Sequence, residues 1–311
     1  MKSSFAVYGR KILFICLSVY LPAGEALTNG MCDKGEGELM NLTDREFWWI
    51  VDYVRSRYGI ELGQKRVLIT GRLENYLIRN DYKSYGEFIQ KIQNDPSGME
   101  AANLINILTT NHTFFMREFI HFEYMIKYVL PWIREKESSS HDVRIWSAAA
   151  STGEEPYTIA MVLQDFFGLE KIWDTQLLAT DISSRVLQKA RQGTYMEEQL
   201  APLPDNWKRH YFRKTGENSY TVVPEIRRNV CFRRFNLMDD ISFKGKFHVV
   251  FLRNVMIYFD EPTKTRLLRR IYDHMEDGGY LFIGTTESID KTSIGFKYVQ
   301  PSIYRKAVSV R

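Results

Sequence analysis

The segment Ser147-Ala148-Ala149-Ala150-Ser151-Thr152-Gly153-Glu154-Glu155-Pro156-Tyr157 carries the densest chemical signal in the chain. It follows a short apolar stretch, Val143–Ala149, and leads into a helical pattern starting at Pro156. It holds one glycine, Gly153. A turn that cradles a pyrophosphate needs the glycines of a GxGxxG pattern, so that chemistry is disfavoured. Two carboxylates, Glu154 and Glu155, stand there instead. A carboxylate repels phosphate and attracts a cation or a donor-rich ligand. A second apolar stretch ends Ala179-Thr180-Asp181, and an acid at such a strand end can accept from ribose hydroxyls.

A sulfonium, an ammonium and ribose hydroxyls occur together in S-adenosylmethionine, which fits this donor and acceptor balance. The competing reading is local: acidic residues in a first helical turn favour the positive end of the helix. The residues alone leave both readings open. Charge, cysteine and histidine usage narrow the field. Of 311 residues, 42 are basic and 38 acidic, a net charge of +4, too balanced to predict nucleic-acid binding. Cys16, Cys32 and Cys231 form no CxxC pair, and the histidines have no ligand spacing, so neither a disulfide framework nor a metal site is expected. The hydrophobic fraction of 44% and charged fraction of 26% are those of an ordinary globular protein.

The elements that must position these residues fall into two textures. Residues 41–136 read as all-helical: Thr43 and Glu46 form a capping box before Phe47, Ile50, Val51 and Val54. Further helices are expected near Gln64–Arg79, Ser84–Gln93 and Ser97–Thr109, with a longer one from Thr113 toward Glu135. From 137 to 311, strands at Val143–Ala149, Gln176–Thr180, Phe247–Leu252 and Tyr280–Gly284 alternate with helices at Pro156–Phe167, Ser183–Gln192 and Pro262–Glu276. Phe296–Lys306 reads as one or two further strands. This predicts an α/β fold, a doubly wound sheet that binds its ligand at the carboxyl ends of the strands. An inserted antiparallel β-hairpin is expected at about 205–229, around the short loop Lys214–Ser219. Residues 1–40 stand apart. Lys2, Arg10 and Lys11 precede the apolar run Ile12–Leu21, with small residues near Ala23–Ala26, the layout of a secretory signal. The favoured reading is a mis-assigned start, with translation from Met31 or Met40, or a non-functional extension, and a cytoplasmic protein is expected.

Taken in order, Thr109–Glu118, Trp146–Tyr157, Ala179–Ile182, Phe235-Asn236-Leu237 and Arg253–Phe259 resemble the chemotaxis receptor methyltransferases, the CheR family. The resemblance covers residues 41 to about 305. Met116 departs from it, a second phenylalanine being usual there, as does Thr286-Glu287-Ser288. It implies a methyltransferase sheet behind a small all-α receptor-docking domain, and transfer of a methyl group from S-adenosylmethionine to glutamate side chains of methyl-accepting chemotaxis receptors. It implies cofactor contacts at Asn111, Thr113, Arg117, Glu155, Asp181, Asn236, Leu237, Leu252, Arg253 and Asn254, those of Leu252 and Arg253 mostly through backbone. Arg117 and Tyr258 are the residues it implies for catalysis. Lys65, Arg72 and Arg79, seven apart on one helix stripe with Arg66 beside them, are implied to dock the acidic receptor. A monomer is expected, independent of a receptor tether peptide and without nucleic acid. The alternative is a CheR-like module that binds S-adenosylmethionine and signals without receptor methylation.

Overall fold

The structure is a computed structural model and describes residues 40–109, 111–170, 172–289 and 294–308. The expectations for residues 1–39, Cys16 and Cys32 among them, lie outside the described residues. The chain opens with α1 (Asp44–Tyr58). Thr43 caps it as expected: its hydroxyl accepts from Glu46 N–H while the Glu46 carboxylate accepts from Thr43 N–H. Gly59, at φ 69°, closes it in the left-handed conformation that glycine adopts without strain. Then come α2 (Arg66–Arg79), α3 (Tyr85–Asn94, capped by Ser84) and α4 (Met99–Leu108). Ile50, Val54, Ile69, Leu73, Phe88 and Leu104 lie on their inner faces, fully buried.

The next helix corrects two expectations. It begins at Ile120, not Thr113, as α5 (Ile120–Tyr124), which passes through a π-helical turn at Met125–Val129 into α6 (Leu130–Lys136). Met116 and Glu118 have φ of 61° and 54°, which a right-handed helix cannot accommodate. The rod also belongs with the sheet. Phe122 stacks on Phe251 at 6.1 Å and Trp132 meets Tyr280 edge-on at 5.6 Å. The four-helix unit therefore ends near residue 109 rather than 136, because the apolar face of α5–α6 is spent on covering strands.

The sheet is built from β1 (Ile145–Ser147), β2 (Leu177–Asp181), β6 (Val230–Arg234), β7 (Phe247–Leu252), β8 (Met275–Ile283), β9 (Phe296–Gln300) and β10 (Ile303–Lys306), in the order β6-β2-β1-β7-β8-β10-β9. β6 through β8 run parallel, and β10 and β9 close one edge antiparallel. α7 (Glu154–Phe167), α8 (Ser184–Gln192), α10 (Pro224–Arg228) and α11 (Glu261–Asp273) are the connecting helices. Every residue of β7 is buried, as the continuous apolar run of a strand covered on both faces requires. The chain leaves β1 toward β2 on one side and returns to β7 on the other, so the strand order reverses between β1 and β7, the point where such sheets open a crevice.

The inserted subdomain is larger than the expected hairpin. β3 (Thr194–Met196), β4 (Phe212–Lys214, following α9, Asp205–Tyr211) and β5 (Ser219–Val222) form a separate sheet in the order β3-β5-β4. It starts at 194, since β3 becomes a strand only by pairing with Ser219–Thr221. Tyr195 anchors it, its hydroxyl donating to Thr152 O at 2.8 Å.

Candidate functional site

A cleft of about 1020 Å³, its open mouth included, lies at the carboxyl ends of β1, β2 and β7. The loop 111–117 and Tyr58 and Ile60 from the helical unit line its other side. Three loops build the floor. After β1 the chain turns through Ser151 at φ 48° and Gly153 at φ 103°. A Cβ on Gly153 would lie 2.7 Å from the Tyr195 hydroxyl and 3.0 Å from Ala190 Cβ, so both backbone angle and space demand glycine. Ser151 ties this turn to its neighbours, its N–H donating to Asp181 at 2.9 Å and its hydroxyl to Asn111 O at 3.1 Å.

The two adjacent glutamates face different ways. Glu154 is buried away from the cleft and accepts from Thr152. Glu155 lines the cleft. One of its oxygens accepts from the Ser147 hydroxyl at 2.7 Å, and the other from Arg253 Nη1 at 2.8 Å. Burial raises the Glu155 carboxyl above its ordinary value, against the opposing pull of Arg253 and Ser147. Asp181 is raised in the same way by burial, against the N–H groups of Ser183, Ser151 and Ile182. Two half-buried carboxylates whose ionisation burial opposes face one cleft, where a sulfonium and an ammonium would favour their charged forms. On its donor set, S-adenosylmethionine fits.

Asn111, Thr113, Arg117, Glu155, Asp181, Asn236, Leu237, Arg253, Asn254 and Tyr258 all line the cleft. Leu252 does not: it is fully buried in β7 among core residues. The Arg253 side chain is engaged within the protein, which leaves its backbone for a ligand. Its guanidinium reaches Glu155, Glu118 and the backbone carbonyl of Arg117, and packs over the Phe122 ring at 5.6 Å. Asn254 sits at φ 57°, an unusual backbone angle of the kind that collects at functional sites.

Arg117 donates to His112 O at 2.9 Å and lies over the Phe114 ring at 5.8 Å. It makes no ion pair with any described carboxylate. Tyr258 lies in a 3-10 turn, Met256–Tyr258, held from the helical unit by Glu61 N–H donating to Tyr258 O at 2.8 Å.

Two carboxylates were missed by sequence reasoning. Glu287 accepts from Gly284, Asn254 and Ile257 N–H at 2.6, 2.9 and 3.2 Å. It lies in the Thr286-Glu287-Ser288 stretch, the available signal. Glu118 accepts from Arg253, Asn254 and Thr285. On the basic stripe, Lys65 and Arg79 are exposed, but Arg72 donates to Leu108 O at 2.8 Å and Arg66 to Leu42 O at 2.8 Å. Both arginines thus also hold the helical unit together.

An open α/β sheet with an acid-lined cleft at its switch point defines the class of fold, a doubly wound sheet with its ligand crevice at the strand ends. Sequence comparison completes the identification. The CheR methyltransferase all-alpha domain matches residues 45–109, and the CheR methyltransferase SAM binding domain matches residues 111–305. The chain belongs to the CheR methyltransferase family. The chemotaxis protein methyltransferase of Borreliella burgdorferi is 36% identical over 272 residues, spanning 86% of this chain and 96% of its own. That of Escherichia coli K12 is 35% identical over 273 residues, spanning 86% and 92%. Chemotaxis protein methyltransferase 2 of Pseudomonas aeruginosa is 37% identical, spanning 85% and 94%. The chain is accordingly an S-adenosylmethionine-dependent methyltransferase of the chemotaxis type.

Proposed function

We propose that this enzyme methylates glutamate side chains of methyl-accepting chemotaxis receptors, giving glutamyl methyl esters, with Arg117 and Tyr258 handling the receptor carboxylate. The carrying observation is Arg117, a cleft-lining guanidinium with no carboxylate partner among the described residues. A guanidinium matches an incoming carboxylate in a forked, charge-assisted contact.

When bound, S-adenosylmethionine supplies an electrophilic methyl group on its sulfonium. Glu155 would accept from the cofactor's cationic end and Asp181 from its ribose, with Asn111, Thr113, Asn236, Leu237 and Asn254 lining the rest. The receptor glutamate is ionised at neutral pH, with an ordinary pKa of about 4.3, so no general base is required of the protein. Arg117 would orient that carboxylate and the Tyr258 hydroxyl would donate to it. The rate gain then comes from alignment and exclusion of water, which can supply several kcal/mol.

The same reading takes the enzyme as a cytoplasmic monomer that acts without nucleic acid. Its β4–β5 loop is short, which favours independence from a receptor tether peptide. Micromolar binding of such a peptide in a titration would refute that last point. The test of the main reading is transfer of labelled methyl from S-adenosylmethionine to membranes carrying the organism's own receptors. Base-labile label on receptor supports it; label on nucleic acid or small molecules overturns it.

A further inference from the structure

We propose that Glu118 is the positioning residue of the cofactor site: it fixes the guanidinium of Arg253, and through it the carboxylate of Glu155. This rests on Glu155 being a cofactor contact, and goes beyond it in naming what sets that contact.

Glu118 is absent from the cleft lining. It stands behind Arg253, accepting from Arg253 Nε at 3.3 Å and Nη2 at 3.2 Å. Its other oxygen accepts from Thr285 N–H at 3.2 Å, the Thr285 hydroxyl at 3.1 Å and the Asn254 amide at 3.4 Å. One carboxylate thus joins the 111–119 loop to the segments after β7 and β8. The Arg253 side chain is 2% exposed, so its charge is compensated by protein groups rather than water. Glu118 and Glu155 are those groups, one on each side. Buried charges hold their place only when paired in good geometry.

The neighbouring histidine sharpens the assignment. His121 is fully buried, and its Nδ1 lies 3.6 Å from the Glu118 carboxylate. The Ser302 hydroxyl donates to Pro301 O at 2.6 Å, so it accepts from His121 Nε2, 2.6 Å away. The proton of a neutral ring is then on Nε2, and Nδ1 has no hydrogen-bond partner. Burial, with Arg253 adding, pushes the His121 pKa down to about 3. His121 is therefore neutral, and Arg253 is the ionised partner of Glu118 among the described residues. Glu118 itself holds φ 54°, a backbone angle that costs a non-glycine residue energy and persists where the surroundings fix it. Without the Glu118 charge, Glu155 would be the one carboxylate left on the Arg253 guanidinium, beside the Arg117 carbonyl, and would be drawn from the cleft toward it.

Three proteins test this by calorimetric titration with S-adenosylmethionine and S-adenosylhomocysteine: Glu118→Gln, Glu155→Gln and the double variant. Glutamine keeps the shape of Glu118 and can still accept from Thr285, so the fold should be retained, as checked by circular dichroism and thermal melting. Each single substitution should weaken binding about tenfold, the size expected for losing a hydrogen bond to a charged group. If Glu118 acts through Arg253 on Glu155, the double variant should fall short of the product of the two effects by about threefold or more. In turnover, Glu118→Gln should raise the KM for the cofactor while kcat changes little. Unchanged affinity in Glu118→Gln, fully multiplicative losses, or a loss explained by a smaller folded fraction would each overturn the proposal. The titrations need no receptor, so an error in the substrate assignment would leave their outcome intact.

Discussion

The side-chain amide of Asn236 donates to the backbone carbonyl of Arg57 across 2.9 Å, joining the segment after β6 to the last turn of α1. The carbonyl end of the same amide accepts from Met238 N–H at 3.1 Å. Asn236 therefore uses both ends of its amide within the protein while lining the cleft. Asn236→Ala should lower stability by about 1 kcal/mol, the net worth of a typical hydrogen bond, and weaken cofactor binding as the wall loosens. Paired denaturant melts and titrations check this, and unchanged stability would contradict it.

Arg117 should behave differently. Its contacts within the protein are few, so Arg117→Ala should leave the melting temperature nearly unchanged. Receptor methylation should fall by about a hundredfold, within the range that positioning supplies. Arg117→Lys should restore only part of it, because an ammonium cannot present a fork. A variant that melts early with normal turnover would place Arg117 in the scaffold instead.

Cofactor affinity and the stability of the cofactor-free protein should run in opposite directions with pH. Glu155 and Asp181 are raised above their ordinary values of 4.5 and 3.8 by burial. A group raised in the folded state adds stability that is complete below its unfolded pKa and is lost as pH rises through its folded value. Binding a cation needs the ionised form, so affinity should rise across that same window. Glu155→Gln and Asp181→Asn should each flatten both trends. The comparison must be variant against wild type, since Asp260, hydrogen-bonded to Thr263 and beside Arg55, is lowered and contributes with the opposite sign.

Trp146 is fully buried, and its indole N–H donates to the Thr180 hydroxyl at 2.9 Å. Thr180→Val keeps the shape and leaves that donor without a partner. The cost should be about 1–3 kcal/mol, read from the denaturant midpoint with an unchanged slope. A neutral substitution would mean that another acceptor replaces Thr180.

Receptor docking is best probed at Lys65 and Arg79. Both are exposed, so Lys65→Glu with Arg79→Glu should slow receptor methylation without altering cofactor affinity. Arg72→Glu would also remove the contact to Leu108 O and destabilise the helical unit, confusing the measurement. Methylation at the wild-type rate in the double variant would remove this surface from consideration.

The parts of the fold that rest on local chemistry were legible in the sequence. The Thr43–Glu46 capping box, the apolar run of β7 and the acid ending β2 each carry their signal within a few residues. What was not legible depends on pairing across the chain. Thr194–Met196 is too short to read as a strand until Ser219–Thr221 lies beside it. Thr113–Phe119 has helical composition but turns at Met116 and Glu118, because its partners are Arg253 and Thr285, far along the chain. The cleft residues were found through motif resemblance. Glu118 and Glu287 escaped because they bind protein groups rather than the cleft itself.

The core has a further consequence. Ile50, Leu73 and Leu104 of the four helices belong to one contiguous buried cluster with Trp146, Leu252 and Leu267 of the sheet layer. The chain segments matched by two separate family domains therefore share a single interior. A shared interior favours melting as one cooperative unit. Heating should give one calorimetric peak with matching van't Hoff and measured enthalpies, and the helical segment cut free at residue 109 should expose a greasy face and aggregate.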